Sequence, residues 1–599
     1  MVSLSSALLN LFFLLTLLAT VTSILYRLNL LLLVSLILSL YALTLLARLY
    51  KNYTSALRIG LPILFIPFDP FGVPWLFIYS YFGPLLAPFR CCRFLTFTWH
   101  WEDGDRWHKE LGESFVLVGV GRNYVHTSDE VAIEWVLGRR KEFPKPRAYE
   151  GLDLFGKNVN TVNGQEWTRH RKLTAPCFNE RVSSFVWSEA VRQSAAMLTT
   201  WITSPRHQVT TMVDDTRIIA LHVLYAAGFG TSHDFAGGKR VAAPGHELSH
   251  RDALLTVLEN ILSAIFLSAA GGIVERWKGL LGKRLRNVLL AIKEFKMYTD
   301  EAIAAERAIL ASGYGEAKHN LMSTLIRTSD QAKADGIHSA VRLSDGEIKG
   351  NIFIFNLAGH DTTANTLGYA FALLACHAEV QDWVVEEIDS VFGEGETSYE
   401  VAFPRLKRVL AVMYETLRLY GPVSTIPRAA LPNTPLLLRN PAASSTREIL
   451  IPQNTDLALK ILAMHTSPTH FTNPTSWDPK RWIASSPASL APLKLLEEKL
   501  LEEKLLEEKL LEEKLLEQKA FLPWSTGPRV CPGMKMSQVE FVGVLATVLR
   551  SVRVAPAMKG ETTEEAKRRL LGTVRDSNAD TPALKISHPE KICLAVKKR

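Results

Sequence analysis

The sequence is poor in cysteine, with six spread over 599 residues. None forms a Cys-x-x-Cys pair or has a histidine nearby at zinc-finger spacing, which excludes a disulfide-stapled scaffold and a zinc finger. A reduced, cytosol-facing body is the simpler interpretation. No Gly-x-Gly-x-x-Gly or Walker sequence joins a strand to a helix, so no built-in nucleotide site is expected. The 47% of apolar residues excludes disorder as the main state.

Charge is missing from the amino terminus. Leu4–Leu25 and Leu28–Ala47 are two runs without a single charged residue. Because about 20 apolar residues in a helix span a bilayer core, either run, or both as a hairpin, could cross a membrane. The sequence therefore predicts a membrane anchor of one or two spans over residues 1–50.

Basic residues follow the second run, which favours a cytosolic location for the rest of the chain. They are Arg48, Lys51 and Arg58. Residues 51–90 are apolar but rich in proline, which prevents a regular spanning helix, so they are interpreted as a linker at the membrane surface. Residues 91–599 have the composition of a soluble catalytic domain.

The soluble part is dominated by amphipathic helical patterns, with short strands between them. The predicted helices are Val182–Thr203, Asp252–Ser268, Leu280–Ser312, Ser344–His377, Ala378–Phe392 and Pro404–Tyr420. The predicted strands are Ser114–Val120, Leu436–Leu438 and Glu448–Ile451. This pattern indicates a mainly α fold with small β-sheets rather than alternating βαβ units.

A low-complexity repeat of Leu-Leu-Glu-Glu-Lys type lies within residues 493–520. Its residues favour a helix. A period of five moves the leucines by roughly 140° per repeat, so they spiral round that helix and form no coiled-coil seam. We interpret the repeat as a helical surface insertion that is dispensable for function.

One cysteine lies in an unusual setting, in the segment Pro523–Gly533. Cys531 is flanked by glycines and prolines, lies two residues after Arg529, and precedes a helix that starts at Met534. A nearby cation and a helix amino terminus both favour the thiolate. Without a second cysteine, a single axial bond to a haem iron fits better than a cluster or structural zinc.

The pattern Gly527-x-Arg529-x-Cys531-x-Gly533 resembles the haem-binding signature of the cytochrome P-450 superfamily of haem-thiolate monooxygenases. The resemblance implies that Cys531 is the proximal iron ligand and that Arg529 pairs with a haem propionate. The chain departs from the family pattern at Trp524, where the family usually has phenylalanine.

A second motif, Ala358–Thr363, lies within a predicted apolar helix. The small Gly359 and Ala358 are expected to open space for a ligand, and an acid followed by hydroxyls suits proton delivery. The motif is similar to the oxygen-activation segment of the family, which implies that Asp361 and Thr362 transfer protons during oxygen activation.

Further motifs match the family in order and spacing. Trp167 and Arg171 lie on one helical face, where an indole N–H and a guanidinium can bind a carboxylate. The resemblance implies that this pair and Arg428 hold haem propionates. It also implies a structural triad, formed by Glu415, Arg418 and Arg481.

The implied function is that of a microsomal monooxygenase inserting one atom of dioxygen into a hydrophobic small molecule by hydroxylation or epoxidation. The cofactor is heme b (iron protoporphyrin IX), and electrons come from the NADPH-dependent cytochrome P-450 reductase. The doubled apolar run is similar to filamentous-fungal members, which implies secondary metabolism. The expected location is the endoplasmic reticulum membrane, in contact with lipid and with the catalytic domain facing the cytosol. No nucleic-acid partner is expected.

Two alternatives stay open from the sequence. One is a haem-thiolate isomerase or dehydratase that does not need dioxygen, although the retained Asp361–Thr362 pair argues against it. The other is a non-catalytic, haem-binding membrane scaffold that uses the repeat as an interaction arm. The apolar segments expected to line the substrate pocket are Tyr149–Phe155, Ile261–Phe266, Phe353–Leu357 and Val423–Ile426.

Overall fold

The computed structural model describes residues 4–599 except 71–74, 76–77, 79–81, 84, 87, 97, 237–241, 313–319, 335–341, 394, 396–397, 441–444, 484–519, 559 and 580–582. The predicted insertion 493–520 lies outside the described residues, apart from Ala520. The chain divides into two compact units. The first is Met1–Leu95 with Phe115–Tyr124, and the second is Thr96–Ser114 with Val125–Arg599.

The first unit begins with a long helix, α1 (Leu4–Leu57), whose backbone is helical throughout. Within it, Leu30–Leu57 is long and apolar enough to cross a membrane, and an 18-residue window of it has a mean hydropathy of 2.6 and no buried residue. Most side chains of the run Leu4–Leu25 lie outside the described part, so that run stays a prediction.

The end of α1 is fixed by Asn52, which is buried. Its Nδ2 donates to the carbonyl of Gly119 at 2.7 Å, and its own carbonyl accepts from Asn123 Nδ2 at 2.9 Å. Strand β1 (Ile63–Phe65) follows and pairs in parallel with the chain at Val116–Val118. A short helix, α2 (Arg90–Arg93), closes this part of the unit.

The second unit is mainly helical. Its helices are α3 (Trp99–Glu102), α4 (Arg106–Leu111), α5 (Glu130–Gly138), α6 (Gly164–Thr174), α7 (Glu180–Ile202), α8 (Met212–Phe229), α9 (His250–Glu259), α10 (Ile261–Arg276), α11 (Lys283–Ser312), α12 (Leu321–Ala334), α13 (Asp345–Cys376), α14 (Ala378–Phe392), α15 (Tyr399–Ala402), α16 (Lys407–Tyr420), α17 (Ile461–His465), α18 (Met534–Ser551) and α19 (Thr563–Arg575).

The strands are short. They are β2 (Ser114–Val118), β3 (Asn123–Thr127), β4 (Gln208–Val209), β5 (Ile426–Ala429), β6 (Thr434–Asn440), β7 (Ser445–Ile451), β8 (Thr455–Leu459), β9 (Val552–Pro556), β10 (Ser577–Asn578), β11 (Lys585–Ile586) and β12 (Leu594–Lys598). Strands β2 and β3 run from one unit into the other. In the second unit β5 pairs antiparallel with β8, β6 with β7, β10 with β11, and β12 lies between β4 and β9. The predicted class, mainly α with small β-sheets, is confirmed.

Helix α13 is the centre of the second unit, packed against α8, α16, α18 and α19. It is apolar on nearly all sides, as expected of a helix buried in a large core. Its start is defined by a capping box in which Ser344 and Glu347 bond to each other's backbone N–H. The turn around Ala358 is the more open part of this helix beyond Gly350, because Ala358 is exposed and Leu357, Gly359, Asp361 and Thr362 are half-buried.

One predicted helix is wrong in its continuity. The run Asp252–Ser268 is broken at Asn260 into α9 and α10, which meet at 93°. The Asn260 side chain stabilises the break, because Nδ2 donates to the carbonyl of Thr256 at 2.9 Å and Oδ1 accepts from Arg284 Nε at 3.0 Å. Asparagine side chains compete in this way with the helical backbone.

Three glycines allow the loop before α6 to touch the first turns of α13 directly. Gly156 has φ +138°, and a Cβ there would lie 2.0 Å from the carbonyl oxygen of Gly346. A Cβ on Gly350 would lie 2.2 Å from the carbonyl oxygen of Gly156. Since both neighbours are backbone atoms, no side-chain rotation relieves these contacts.

We therefore expect Gly350→Ala to lower the free energy of unfolding by about 3 kcal/mol through overpacking. Gly368→Ala is the matched control on the same helix, because its Cβ would meet only Thr216 Oγ1 at an ordinary 3.7 Å. Thermal denaturation of both variants tests this. Equal melting temperatures would contradict the close backbone contact.

Candidate active site

The loop that carries Cys531 is closed by its own backbone. Cys531 N donates to the carbonyl of Trp524 at 3.0 Å, and Val530 N donates to Gly527 at 3.1 Å. Gly527 has φ +70°, and a Cβ there would lie 2.6 Å from the carbonyl oxygen of Leu137 at the end of α5. Glycine is required at this position by both its conformation and its neighbour.

The thiol of Cys531 is accessible, at the start of α18. Burial by the surrounding protein raises its pKa, although a backbone N–H of Gly533 and the charge of Arg171 oppose the rise. A cation and a backbone N–H at the helix start thus favour the thiolate, but burial outweighs them. A metal ion bonded to the sulfur provides what the loop lacks, because coordination deprotonates a thiol outright.

Trp524, the departure from the family pattern, has a contact that phenylalanine cannot make. Its Nε1 donates to Ser537 Oγ at 3.1 Å, one turn into α18. Its ring also packs edge-on against Tyr414, with centroids 5.9 Å apart. The indole thus ties the loop to α18.

The predicted triad is assembled around the fully buried Glu415 carboxylate. Arg418 binds it with two hydrogen bonds of 2.9 and 2.8 Å, and Arg481 Nε adds one of 3.0 Å. Trp482 Nε1 and the backbone N–H of Asp478 complete the set at 3.0 and 2.9 Å. The complete pairing satisfies the condition under which a charge can be buried.

The triad is connected to the cysteine loop through His465. Arg418 Nη1 donates to the carbonyl of His465 at 2.9 Å, and His465 Nε2 accepts from the backbone N–H of Leu522 at 3.0 Å. Burial, together with the charge of Arg418, lowers the pKa of His465 to about 3, so its ring is neutral and can accept this bond. The buried triad therefore positions the loop one residue before Pro523.

Three cations near the loop repel one another, Lys145, Arg428 and Arg529, and a fourth, Arg171, lies near Cys531. Burial lowers the pKa of Arg428 to about 10. Burial and the charges of Arg428 and Arg140 lower the pKa of Arg529 to about 9. The pKa of Lys145 lies well below its usual value, through burial and then through repulsion by Arg428 and Arg529.

These cations fit a dianionic cofactor. Among the described residues none of the four has a carboxylate ion-pair partner, and Arg529 Nε is buried without a hydrogen-bond acceptor. Buried like charges are costly unless an anion lies between them. Haem carries two propionates and an iron that takes one cysteine thiolate, so it matches the donor set of this site.

Trp167 and Arg171 reach this site from α6. The Trp167 ring is buried between the guanidinium groups of Arg140 and Arg529, whose central carbons lie 4.4 and 5.0 Å from its centroid. Burial lowers the pKa of Arg171, whereas the nearby Cys531 opposes that change. The structure therefore brings Trp167, Arg171, Arg428, Arg529 and Cys531 together, and their roles remain predictions.

Sequence reasoning missed Lys145 and Asn163, and it named Tyr149 only within the segment Tyr149–Phe155 expected to line the pocket. Asn163 Oδ1 accepts from Arg529 Nη2 and from the backbone N–H of Lys145, both at 2.9 Å. The Lys145 ammonium lies 4.2 Å from the centroid of Tyr149, whose pKa burial raises to about 12. The one sequence signal that could have indicated Lys145 was its position between two prolines, Pro144 and the next residue but one. A lysine in such a stiff segment does not by itself indicate a binding site.

On α13, Thr362 Oγ1 donates to the carbonyl of Ala358 at 2.8 Å, and its oxygen can still accept a hydrogen bond. Burial acts to raise the pKa of Asp361, but the neighbouring His360, whose Nδ1 lies 3.3 Å from Oδ1, and the charges of Arg217 and Lys585 outweigh it, so the pKa is lowered. An ionised acid thus precedes a hydroxyl beside the accessible Ala358.

One expectation about space beside α13 is wrong. A Cβ on Gly359 would lie 3.1 Å from the Leu224 side chain, so this glycine serves helix packing against α8 rather than a ligand.

Phe155 and Phe353 belong to two of the segments predicted to line the substrate pocket. Both are buried and pack with Phe295, and the centroid of Phe155 lies 4.8 Å from that of Phe353 and 4.7 Å from that of Phe295. Their place in the pocket lining stays a prediction.

Comparison with known proteins agrees with this geometry. A family model described as Cytochrome P-450 matches residues 100–578. The chain is 30% identical over 549 residues to the phomenoic acid biosynthesis cluster cytochrome P-450 monooxygenase of Leptosphaeria maculans, covering 87% of this chain and 91% of that protein. It is 31% identical over 455 residues to cytochrome P-450 monooxygenase 124 of Postia placenta, covering 74% and 78%.

A solved structure shares the fold. The crystal structure of the cytochrome P-450DA haem domain superposes with a TM-score of 0.61 at 19% identity, covering 90% of this chain and 98% of that chain.

Removing one of the cations that lack a carboxylate partner should have opposite effects on the stability of the haem-free protein and on the retention of haem. Arg428→Met should stabilise the haem-free protein by about 1 to 4 kcal/mol, because a buried charge is replaced by an apolar side chain. The same variant should lose haem roughly tenfold faster, because one charged donor to a carboxylate is removed. Denaturation of the haem-free protein and transfer of haem to apomyoglobin measure the two effects.

Arg439→Met is the control, because Arg439 on β6 already has an ion-pair partner in Glu113. It should destabilise the haem-free protein and leave haem transfer unchanged. An Arg428 variant that behaves in the same way would contradict the assignment of Arg428 to the cofactor.

Proposed function

The chain belongs to the cytochrome P-450 family, and on that basis we propose that it is a membrane-anchored enzyme that hydroxylates or epoxidises a hydrophobic small molecule. It is a haem-dependent monooxygenase that uses dioxygen, a small-molecule substrate and a redox partner. Haem supplies the activation of dioxygen when it is bound.

The residues have separate tasks in this proposal. Cys531 holds the iron as a thiolate. Trp167, Arg171, Arg428 and Arg529 bind and orient the propionates. Asp361 and the Thr362 hydroxyl form the path along which protons are delivered.

The single observation that carries the proposal is the exposed Cys531 beside buried and half-buried cations that have no carboxylate partner among the described residues. A thiol of raised pKa gives little thiolate by itself, and a cation cluster gives no redox chemistry. Together they suit one ligand that is both a metal centre and a dicarboxylate.

The electron donor is proposed to be the membrane-bound, NADPH-dependent cytochrome P-450 reductase. Exposed cations lie on the helices next to the cysteine loop: Lys172 on α6, Arg181 on α7 and Lys535 on α18. Positive side chains favour association with an acidic protein surface.

Anchoring in the endoplasmic reticulum membrane, with the catalytic domain in the cytosol, is proposed from two surfaces. Leu30–Leu57 is exposed and apolar, and basic residues follow its core. Around α10, Leu262, Phe266, Trp277 and Leu280 are 51, 59, 57 and 80% exposed. Exposed apolar side chains next to Arg276 and Lys278 suit the headgroup region of an anionic bilayer.

A role in secondary metabolism is proposed from the relatives, since the Leptosphaeria maculans protein is named for the phomenoic acid biosynthesis cluster. An apolar substrate fits the buried aromatic wall of Phe155, Phe295 and Phe353.

The first test of the proposal replaces the iron ligand. Cys531→Ala should abolish the red-shifted Soret band of the ferrous carbon monoxide complex, because that band requires thiolate ligation. Cys91→Ala is the matched control, since Cys91 is also exposed but belongs to the first unit. A Cys531 variant that keeps the band would contradict the assignment.

The second test separates proton delivery from helix structure. Thr362→Val should lower product formed per NADPH by about a hundredfold in the reconstituted system, the scale of a lost proton-transfer group. Thr366→Val is the control, because Thr366 makes the same 2.8 Å bond to a carbonyl four residues earlier yet is buried. It should leave coupling unchanged. Turnover without NADPH or reductase would instead favour an isomerase or dehydratase.

A further inference from the structure

Helix α6 has two working faces. Because each residue turns the helix by ~100°, Arg171 lies roughly 40° from Trp167 around the axis, on the cofactor side. Arg169 lies roughly 160° from Trp167, and His170 lies roughly 60° from Trp167 on the side opposite to Arg171. The contacts made by Arg169 and His170 on this second face determine the positions of Trp167 and Arg171.

The second face is held by Glu347, in the first turn of α13. Arg169 binds both of its carboxylate oxygens, with Nη1 3.0 Å from Oε2, and His170 Nε2 lies 3.1 Å from Oε1. The three side chains are largely buried, with exposed fractions of 13% for Glu347, 19% for Arg169 and 0% for His170. Burial acts to raise the pKa of Glu347, but these hydrogen bonds and the Ser344 N–H lower it to about 2.

Asn351, one turn further along α13, completes the network. Its Nδ2 donates to His170 Nδ1 at 3.0 Å, so the imidazole carries its proton on Nε2 and donates to Glu347. Its Oδ1 accepts from the backbone N–H of Val159 at 2.9 Å. The same turns of α13 receive the loop through Gly156 and Gly350.

We propose that Glu347 is a positioning residue that sets α6 relative to α13, and so fixes the propionate-binding pair Trp167 and Arg171 against the helix that carries Asp361 and Thr362. Glu347 contacts neither haem nor substrate in this proposal and acts only through Arg169 and His170. The inference rests on the proposed function of Trp167 and Arg171.

The test measures haem release from the purified holoprotein to excess apomyoglobin. Glu347→Gln should release haem on the order of tenfold faster, because two hydrogen-bonded partners lose a buried charge. It should also increase the fraction of the ferrous carbon monoxide complex whose thiolate ligand has been lost. His170→Phe should act in the same direction but less, because the Arg169 pair remains. The double variant should show less than the sum of the two effects on the logarithm of the rate.

Asp345→Asn is the matched control. Asp345 lies in the same first turn and is bound by an arginine, with Arg307 Nη2 2.8 Å from Oδ1, but that arginine belongs to α11. It should lower the melting temperature without changing haem release. Equal release from the Asp345 and Glu347 variants, or wild-type release from Glu347→Gln, would overturn the proposal.

Arg171→Ala separates this proposal from the function on which it rests. Fast haem release from Arg171→Ala combined with wild-type release from Glu347→Gln would overturn the positioning role alone. Wild-type release from Arg171→Ala would overturn the proposed role of α6, and the positioning inference with it.

Discussion

The structure depends on one buried carboxylate, that of Glu415. Two arginines, an indole and a backbone N–H all donate hydrogen bonds to it. One of these arginines, Arg418, also donates to the carbonyl of His465. Since His465 in turn receives the chain just before the cysteine loop, the position of Cys531 is set by an ion cluster distant in sequence. The buried charge fixes the positions of its partners, because the free-energy cost of desolvating it is compensated only when every partner is in place.

The site is electrostatically incomplete by itself. Cations are brought together with no carboxylate partner among the described residues, and burial raises the pKa of the thiol beside them. Both features disfavour the isolated protein and favour the state that contains a metal and two carboxylates. The free energy of haem binding should therefore add to the folding stability of the second unit, as in other proteins whose cofactor completes the core.

Much of this was predictable where signals are local. The helix Ala378–Phe392 and the strands around Leu436 and Ile449 follow from the periodicity of apolar residues. The Cys531 segment is recognised by the fixed spacing of its motif residues. The partners of Arg529 were not predictable, because Asn163 and Lys145 lie hundreds of residues away. The break at Asn260 was hidden because asparagine interrupts a helix only when its side chain finds partners, here Arg284.

The contact between Gly156 and the first turns of α13 has a consequence for evolution within this family. Two backbones that touch without any intervening side chain leave no position at which a mutation could reshape the loop gradually. New substrate preferences are then expected to arise in other elements, such as the bent α9–α10 segment. Sequence differences among close relatives should accordingly be concentrated there, whereas Gly156, Gly346 and Gly350 should be retained.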